Sequence, residues 1–452
     1  MKDLTTGKEG RRILNFAIPM LLGNVLQQMY NVVDSIIIGK VLGKEALAAV
    51  GANFPLIFAL ISFVVGIAIG ATVIIAQYYG AKQMDMVKRT IDTLYIFMFF
   101  ASIALTIIGI SFSESIFRLI DLPEEVIPLA VSYFNIYAIG FVFFFGFQGT
   151  SAILRGLGDS KTPLYFLVVS TIINIGLDVL FVVIFRWGIE GVAAATVIAQ
   201  AGAFLSIVWY LNKYHKFLDF SPLKMKFDRG IFKKSLQIGL PSGFQQTAVA
   251  IGFLALYRIV NTFGTPTVAA YSVATRIDSF ATMPAMAFSA AISTFVGQNI
   301  GANKNERIGK GLKATLLMIS VLALTISACT VIFAEPLMRL FTNKEDYEVV
   351  AIGVSYLQIV SPFYMVFSMM FIFNGALRGA GDTLFPMFIT IMALWIIRLP
   401  LSYLLSLHFG TIGIWWGIPI AWVFGVLASS LYYKTGRWKK KAVVKHDIMG
   451  ND

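Results

Sequence analysis

The stretch Leu154-Arg-Gly-Leu-Gly-Asp-Ser-Lys-Thr-Pro163 returns 223 residues later as Leu377-Arg-Gly-Ala-Gly-Asp-Thr-Leu-Phe-Pro386. Two further signals recur at nearly the same spacing. Gln77-Tyr-Tyr-Gly-Ala81 and Gln298-Asn-Ile-Gly-Ala302 lie 221 residues apart, and Pro19 and Pro241 lie 222 apart. Three motifs in one order at one offset mark an internal duplication, so each half repeats one set of elements. The residues between the motifs say what those elements are.

Of the 452 residues, 58% are hydrophobic and 13% charged, with a mean hydropathy of +0.78, far outside the range of soluble domains. Apolar runs long enough to cross a hydrocarbon core of about 30 Å recur about a dozen times. Runs such as Leu94 to Phe112 are apolar on every face and lack the alternation of a membrane β-barrel. The expected fold is therefore an all-α polytopic membrane protein with twelve transmembrane helices in two parallel six-helix lobes. Spans fall near 13–38, 51–77, 91–111, 128–153, 164–185 and 191–212, then near 235–260, 269–295, 314–334, 351–376, 387–407 and 413–433. Residues 1–218 form the first lobe, 219–234 a basic cytoplasmic linker inside the polar stretch Lys213 to Lys234, and 235–452 the second lobe with a basic tail, Arg437 to Lys445. Six spans per half give both copies the same orientation, an arrangement used for alternating access across a central cleft. The plainer alternative is a scaffold enlarged by duplication.

The net charge of +12 would suit nucleic acid if it were concentrated on one face. Instead, with the N-terminus taken as cytoplasmic, the inner segments hold 27 Lys and Arg and the outer loops 6. That asymmetry places both termini on the cytoplasmic side of a cytoplasmic (inner) membrane and excludes a nucleic-acid partner. No cleavable signal peptide is expected, since the first apolar run continues past any plausible signal core. Gly156 to Thr162 looks glycine-rich, but it lacks the adjacent Gly-Lys of a phosphate-binding loop and follows a membrane span, so no nucleotide is expected. The single cysteine, Cys329, forms no internal disulfide, and the three histidines, His215, His408 and His446, are dispersed. No catalytic constellation emerges, and neither an enzyme nor a cofactor is expected.

Charged residues inside the spans carry the functional argument, because each costs roughly 2.5 to 3.5 kcal/mol on insertion scales. Asp34 lies four residues below the outer end of span 1, about 6 Å, and Asp178 seven below the outer end of span 5, about 10 Å. Asn174, four residues before Asp178, shares its helix face. Thr196, a little over one turn into the descending span 6, falls at similar depth. Two carboxylates, an amide and a hydroxyl form an oxygen-rich cluster suited to a hard cation, and two close carboxylates disfavour joint ionisation. Such a cluster can exchange a proton for Na⁺. The competing reading makes Asp34 and Asp178 hydrated residues near helix ends.

The paired Leu-Arg-Gly-x-Gly-Asp turns, the Gln-x-x-Gly-Ala motifs ending spans 2 and 8, and the Ile-Pro and Leu-Pro openings of spans 1 and 7 resemble the multidrug and toxic compound extrusion (MATE) family of the MOP superfamily. The resemblance covers nearly the whole chain. One branch of the family (DinF-like) has its cation site in the first lobe, with an Asp in span 1, Asn-x-x-x-Asp in span 5 and Thr in span 6. Asp34, Asn174, Asp178 and Thr196 match those positions. By the same resemblance, Tyr30 and Tyr133 line that lobe. The chain departs from another branch, which carries carboxylates in spans 7 and 10, where this chain has none.

The second lobe is basic instead, with Arg258, Arg276 and Arg398, and Asp278 close to Arg276. Arg276 and Asp278, two apart, point to different faces and must pair with other spans. Arg276 and Arg398 are candidate substrate-lining residues. Phe141 to Phe147 and Met365 to Phe373 offer a wall of aromatic and thioether groups for flat lipophilic solutes. The resemblance implies a monomeric antiporter exporting small drug-like, lipophilic or cationic compounds in exchange for H⁺ or Na⁺. The alternative is a flippase for lipid-linked oligosaccharides of the same superfamily.

Overall fold

The computed structural model describes residues 2–215, 220–342 and 345–444. Lys216 in the basic linker, the domain boundary at 218/219, Lys445 and His446 lie outside the described residues. Among those described, the chain is helical throughout, with no strand. Burying a backbone in hydrocarbon demands this, because every N–H and C=O must find its partner within its own segment.

Ten helices are long and apolar enough to cross a membrane, from Lys44–Gly80 to Thr411–Lys434. An eleventh span is the pair Ile127–Ile139 and Phe141–Gly156, bent by 52° at Gly140. Against the twelve expected, the remaining long helix, Glu9–Ile37, has the length but falls short in apolarity. Asn24, Gln27, Gln28, Asn31 and Asp34 all sit in its second half. Its polarity is a consequence of what it carries.

The chain divides into two compact units, and the divisions lie beside the repeated prolines and not at the basic linker. One unit comprises residues 1–2 and 22–243, the other 3–21 and 244–452. Pro19 lies inside Glu9–Ile37 and Pro241 inside Arg229–Asn261. Each helix passes from one unit to the other two or three residues after its proline, where the missing N–H breaks the hydrogen-bond ladder.

Within the first unit, the start of Arg229–Asn261 packs at backbone distance on Lys44–Gly80. A Cβ added at Gly239 would stand 2.6 Å from Ile67 Cα, and one at Gly70 2.5 Å from the Ser235 carbonyl oxygen. Within the second unit, the extreme N-terminus is bound by the second Gln-x-x-Gly-Ala motif. The Leu4 amide donates to Gln298 Oε1 at 2.9 Å, Asn299 donates to the Leu4 carbonyl, and Leu4 is 1% exposed. Lys304 and Arg307 close on the Thr5 and Gly7 carbonyls.

The Leu-Arg-Gly-x-Gly-Asp stretches are tight turns whose second glycine takes the left-handed conformation, φ +80° at Gly158 and +93° at Gly381. Asp159 then accepts from the amides of Lys161 and Thr162, holding the start of Lys161–Asp178. Asp382 instead accepts from Tyr432 Oη at 2.6 Å, tying the turn to Thr411–Lys434.

The close approach at Gly239 makes a direct prediction. Gly239→Ala should destabilise the purified protein by about 1–3 kcal/mol through overpacking. Gly51→Ala, where a Cβ meets nothing within 4 Å, should change it by less than about 0.5 kcal/mol. Thermal unfolding in detergent compares the two, and equal effects would contradict the close packing.

Candidate functional site

The first unit brings together all four residues singled out as a cation cluster. Asn174, Asp178 and Thr196 are 2%, 1% and 4% exposed, and Asp34 and Tyr30 are partly buried. Asn174 and Asp178 end the helix Lys161–Asp178, one turn apart on one face, while Thr196 comes from Gly188–Tyr214. Asn174 Nδ2 donates to Thr196 Oγ1 at 3.4 Å. Tyr30 Oη meets the same hydroxyl at 3.2 Å and lies within electrostatic reach of Asp34, one turn further on. The Asp34 and Asp178 carboxyl groups lie within electrostatic reach of each other.

What surrounds these oxygens decides their chemistry. Asp34 Oδ1, both oxygens of Asp178 and Asn174 Oδ1 are buried, and no protein donor reaches them. Every unmatched atom is therefore an acceptor. Two neighbouring carboxylates have no hydrogen between them unless one is protonated or a cation lies between them, so the donor set fits H⁺ or Na⁺ and does not fit an anion. No cluster of three His, Cys, Asp or Glu occurs among the described residues.

Tyr133, 7% exposed, lies within electrostatic reach of both carboxylates. Two neighbours were not singled out from the sequence. Tyr137 stacks on Tyr133 with ring centres 6.0 Å apart, beside Gln200 and within electrostatic reach of Asp34. Both stand at i+4 from a recognised member, Tyr133 and Thr196, so helix periodicity carried the signal. The helical repeat also widens at both aspartates. A π turn at Ile38–Leu42 begins one turn after Asp34, and another, Val179–Ile184, begins directly after Asp178. Wide turns of this kind favour functional positions inside helices.

The second unit has a buried polar group of its own, centred on Asp278. Tyr356 Oη donates to Asp278 Oδ2 at 2.5 Å, and Tyr364 donates to Oδ1. This is where Asp278 finds partners on another span. Arg276 is exposed and makes no ion pair among the described residues, and it does not join this group. Arg398 is 6% exposed, lies over Phe253 with its guanidinium 5.4 Å from the ring centre, and stands beside Tyr271. Around them, Tyr271 stacks on Trp415 at 5.7 Å and Tyr356 meets Trp415 edge-on at 5.0 Å. The aromatic stretches read as a solute wall are part core and part half-buried, with Phe143, Phe144, Phe147, Met365, Phe367 and Phe371 among the half-buried residues. Phe141 and Phe145 are fully buried and stacked on each other, and Met370 and Ile372 are 5% and 0% exposed.

Comparison with known proteins agrees with this architecture. The sequence model of the MatE family matches residues 19–180 and again 241–404, one match per repeat. The chain is 34% identical over 438 residues to the probable multidrug resistance protein YpnP of Bacillus subtilis, covering 97% of each. It is also 34% identical over 440 residues to the probable multidrug resistance protein YoeA of the same organism, covering 95% of this chain and 94% of that one. Among solved structures, the outward-facing conformation of a multidrug resistance MATE family transporter of the MOP superfamily superimposes with a TM-score of 0.90 at 25% identity, covering 97% of this chain and 99% of that one.

The shared hydroxyl at Thr196 makes the cluster's integrity measurable. Thr196→Val, which leaves Tyr30 and Asn174 facing a methyl group, should cost about 1–3 kcal/mol of stability, while Thr196→Ser should restore most of it. Thermal unfolding of the two variants reads the difference, and equal losses would mean that the hydroxyl is not the shared partner.

Proposed function

The chain belongs to the multidrug and toxic compound extrusion family, and from that premise we propose that it is a secondary antiporter that exports lipophilic, often cationic compounds in exchange for H⁺ or Na⁺. It is a multi-pass integral membrane protein whose relatives are named as multidrug resistance proteins and transporters, which supports a transport role. The coupling reading rests on one observation: four buried oxygen atoms from Asp34, Asn174 and Asp178 meet no protein donor.

The mechanism follows from those oxygens. A proton arriving between Asp34 and Asp178 turns two facing acceptors into a donor and an acceptor. A Na⁺ ion uses the same carboxylates, with Asn174 Oδ1 and the Thr196 hydroxyl as neutral ligands, so the two cations compete. Either one removes a repulsion from the spans that carry Asp34 and Asp178. A cation that favours one arrangement of those spans shifts the equilibrium between inward- and outward-open states by its differential affinity. Tyr30 positions Asp34 and Thr196 together, and Tyr133 lines the lobe beside them. The basic asymmetry of the loops supports cytoplasmic termini, so external cations enter down their gradient as solute leaves. A lipid-linked flippase would need no such cluster, and the orphan oxygens favour the antiporter.

The decisive experiment loads vesicles with a fluorescent cationic dye and imposes proton and sodium gradients separately. The wild type should expel dye under at least one gradient. Asp34→Asn and Asp178→Asn, correctly inserted, should each reduce gradient-driven efflux at least tenfold. Efflux that persists in both variants with its cation dependence intact would remove the cluster as the coupling site. A panel of dyes that no gradient moves would remove the exporter reading itself.

A further inference from the structure

Arg398, 6% exposed, is a buried arginine of the second unit that the transport mechanism above does not use. It ends a π turn, Met392–Arg398, inside the span Leu384–Phe409. Fourteen residues precede it in that span and eleven follow, so it stands about 16 Å from the nearer end. A headgroup at the membrane surface is out of its reach, and it cannot snorkel to water. A guanidinium held there needs acceptors for five N–H donors.

The unit supplies few of them, the Tyr271 hydroxyl beside the guanidinium being one. Arg398 Nε is buried with no acceptor, and the guanidinium makes no ion pair among the described residues. Its natural counter-ion is Asp278, whose charge acts on it across the cluster. Yet both Asp278 oxygens are taken by the hydroxyls of Tyr356 and Tyr364. The carboxylate thus balances the charge at a distance while the two tyrosines keep it from closing on the guanidinium. Tyr257 and Tyr271, the other titratable groups packed nearby, are neutral hydroxyls and offer no counter-charge. Phe253 covers one face of the guanidinium and leaves its edge to hydrogen-bond in plane. The repeat gives no counterpart, because Ile175 occupies the corresponding position of the first half.

We propose that Arg398 is a binding residue for an oxyanion, a carboxylate or phosphate group carried by a lipophilic transported molecule. This rests on the exporter reading and names part of its substrate class: amphiphiles with an acidic group, including zwitterions. The planar fork receives the two oxygens side by side, and the neighbouring aromatic rings accept the apolar body. Asp278, Tyr356 and Tyr364 are positioning residues that hold the fork open.

Rhodamine 110, with a free carboxylate, and rhodamine 123, its methyl ester, share one ring system and test this directly. Fluorescence polarisation with purified protein in detergent measures the affinity of each, with no gradient required. The wild type should hold the acid more tightly than the ester. Arg398→Gln should lower the acid-to-ester affinity ratio by about tenfold, the loss of a charge-assisted pair, and Arg398→Lys should fall between. Because the readout is a ratio, a general loss of folding cannot imitate it. A ratio unchanged in Arg398→Gln, or a wild type that does not prefer the acid, overturns the proposal. Farnesyl pyrophosphate separates two sources of the oxyanion: displacement of rhodamine 110 assigns a lipid-borne phosphate, failure to displace it a soluble acid, and both leave the site standing. If vesicles move neither dye while the ratio still responds to Arg398, the exporter reading fails and the oxyanion site does not.

Discussion

A carboxylate within a hydrocarbon slab persists only where the protein replaces the water it has lost. That constraint organises the first unit. Asp34 and Asp178 belong to different helices, and each needs the other's helix at a fixed height and rotation. Asn174 and Thr196 fix that register through a 3.4 Å hydrogen bond between neighbouring spans, and Tyr30 fixes it again from the first span at 3.2 Å. The π turns after both aspartates belong to the same arrangement, since a widened turn re-aims side chains without ending the helix. Polarity of Glu9–Ile37, otherwise a weakness in a membrane helix, is what brings Tyr30 and Asp34 to the cluster.

The two units answer one electrostatic problem in opposite ways. In the first, the unmatched buried atoms are oxygens, and the missing partner is positive. In the second, Asp278 accepts from two tyrosine hydroxyls, and the one charged group with an unmatched buried atom is Arg398, through its Nε. A tyrosine at the same repeat position serves both, Tyr133 facing Asp34 and Asp178, and Tyr356 donating to Asp278. Duplication supplied the scaffold twice, and side-chain substitution divided the chemistry between the copies.

Much of this was legible in the sequence, for a physical reason. Polar residues inside apolar runs stand out, so Asp34, Asn174, Asp178 and Thr196 could be assembled from depth and helix face before any coordinates. The tyrosines around Asp278 could not, because tyrosine is at home in membrane helices as packing, and nothing local distinguishes Tyr356 or Tyr364 from the other aromatic residues. Tyr137 and Gln200 were readable in principle from i+4 spacing. Division of the units beside Pro19 and Pro241, and not at the basic linker, was hidden because composition changes most at the linker, whereas packing depends on backbone approach at Gly66, Gly70 and Gly239. The aromatic stretch of Phe141 to Phe147 was readable only as composition, because apolar side chains serve a cleft wall and a packed core alike, and the stretch mixes buried Phe141 and Phe145 with half-buried Phe143, Phe144 and Phe147.

The repeated motifs that identify the family are turns and backbone contacts, and they say little about mechanism. Gly158 and Gly381 both need left-handed backbone, so the glycine recurs in both halves. The adjacent aspartates have already diverged, Asp159 holding a helix start and Asp382 accepting from Tyr432. The residues that carry chemistry lie where the halves differ. Asp34 corresponds to Leu256, Asn174 to Ile397, Asp178 to Leu401, and Arg398 to Ile175. Each is a polar or charged residue set against an aliphatic one, so the same helix position is apolar in one half and polar in the other. A buried charge in one half that the equivalent scaffold of the other half does without carries a cost in hydrocarbon that its counterpart avoids, and that difference is the physical ground for reading it as a binding residue.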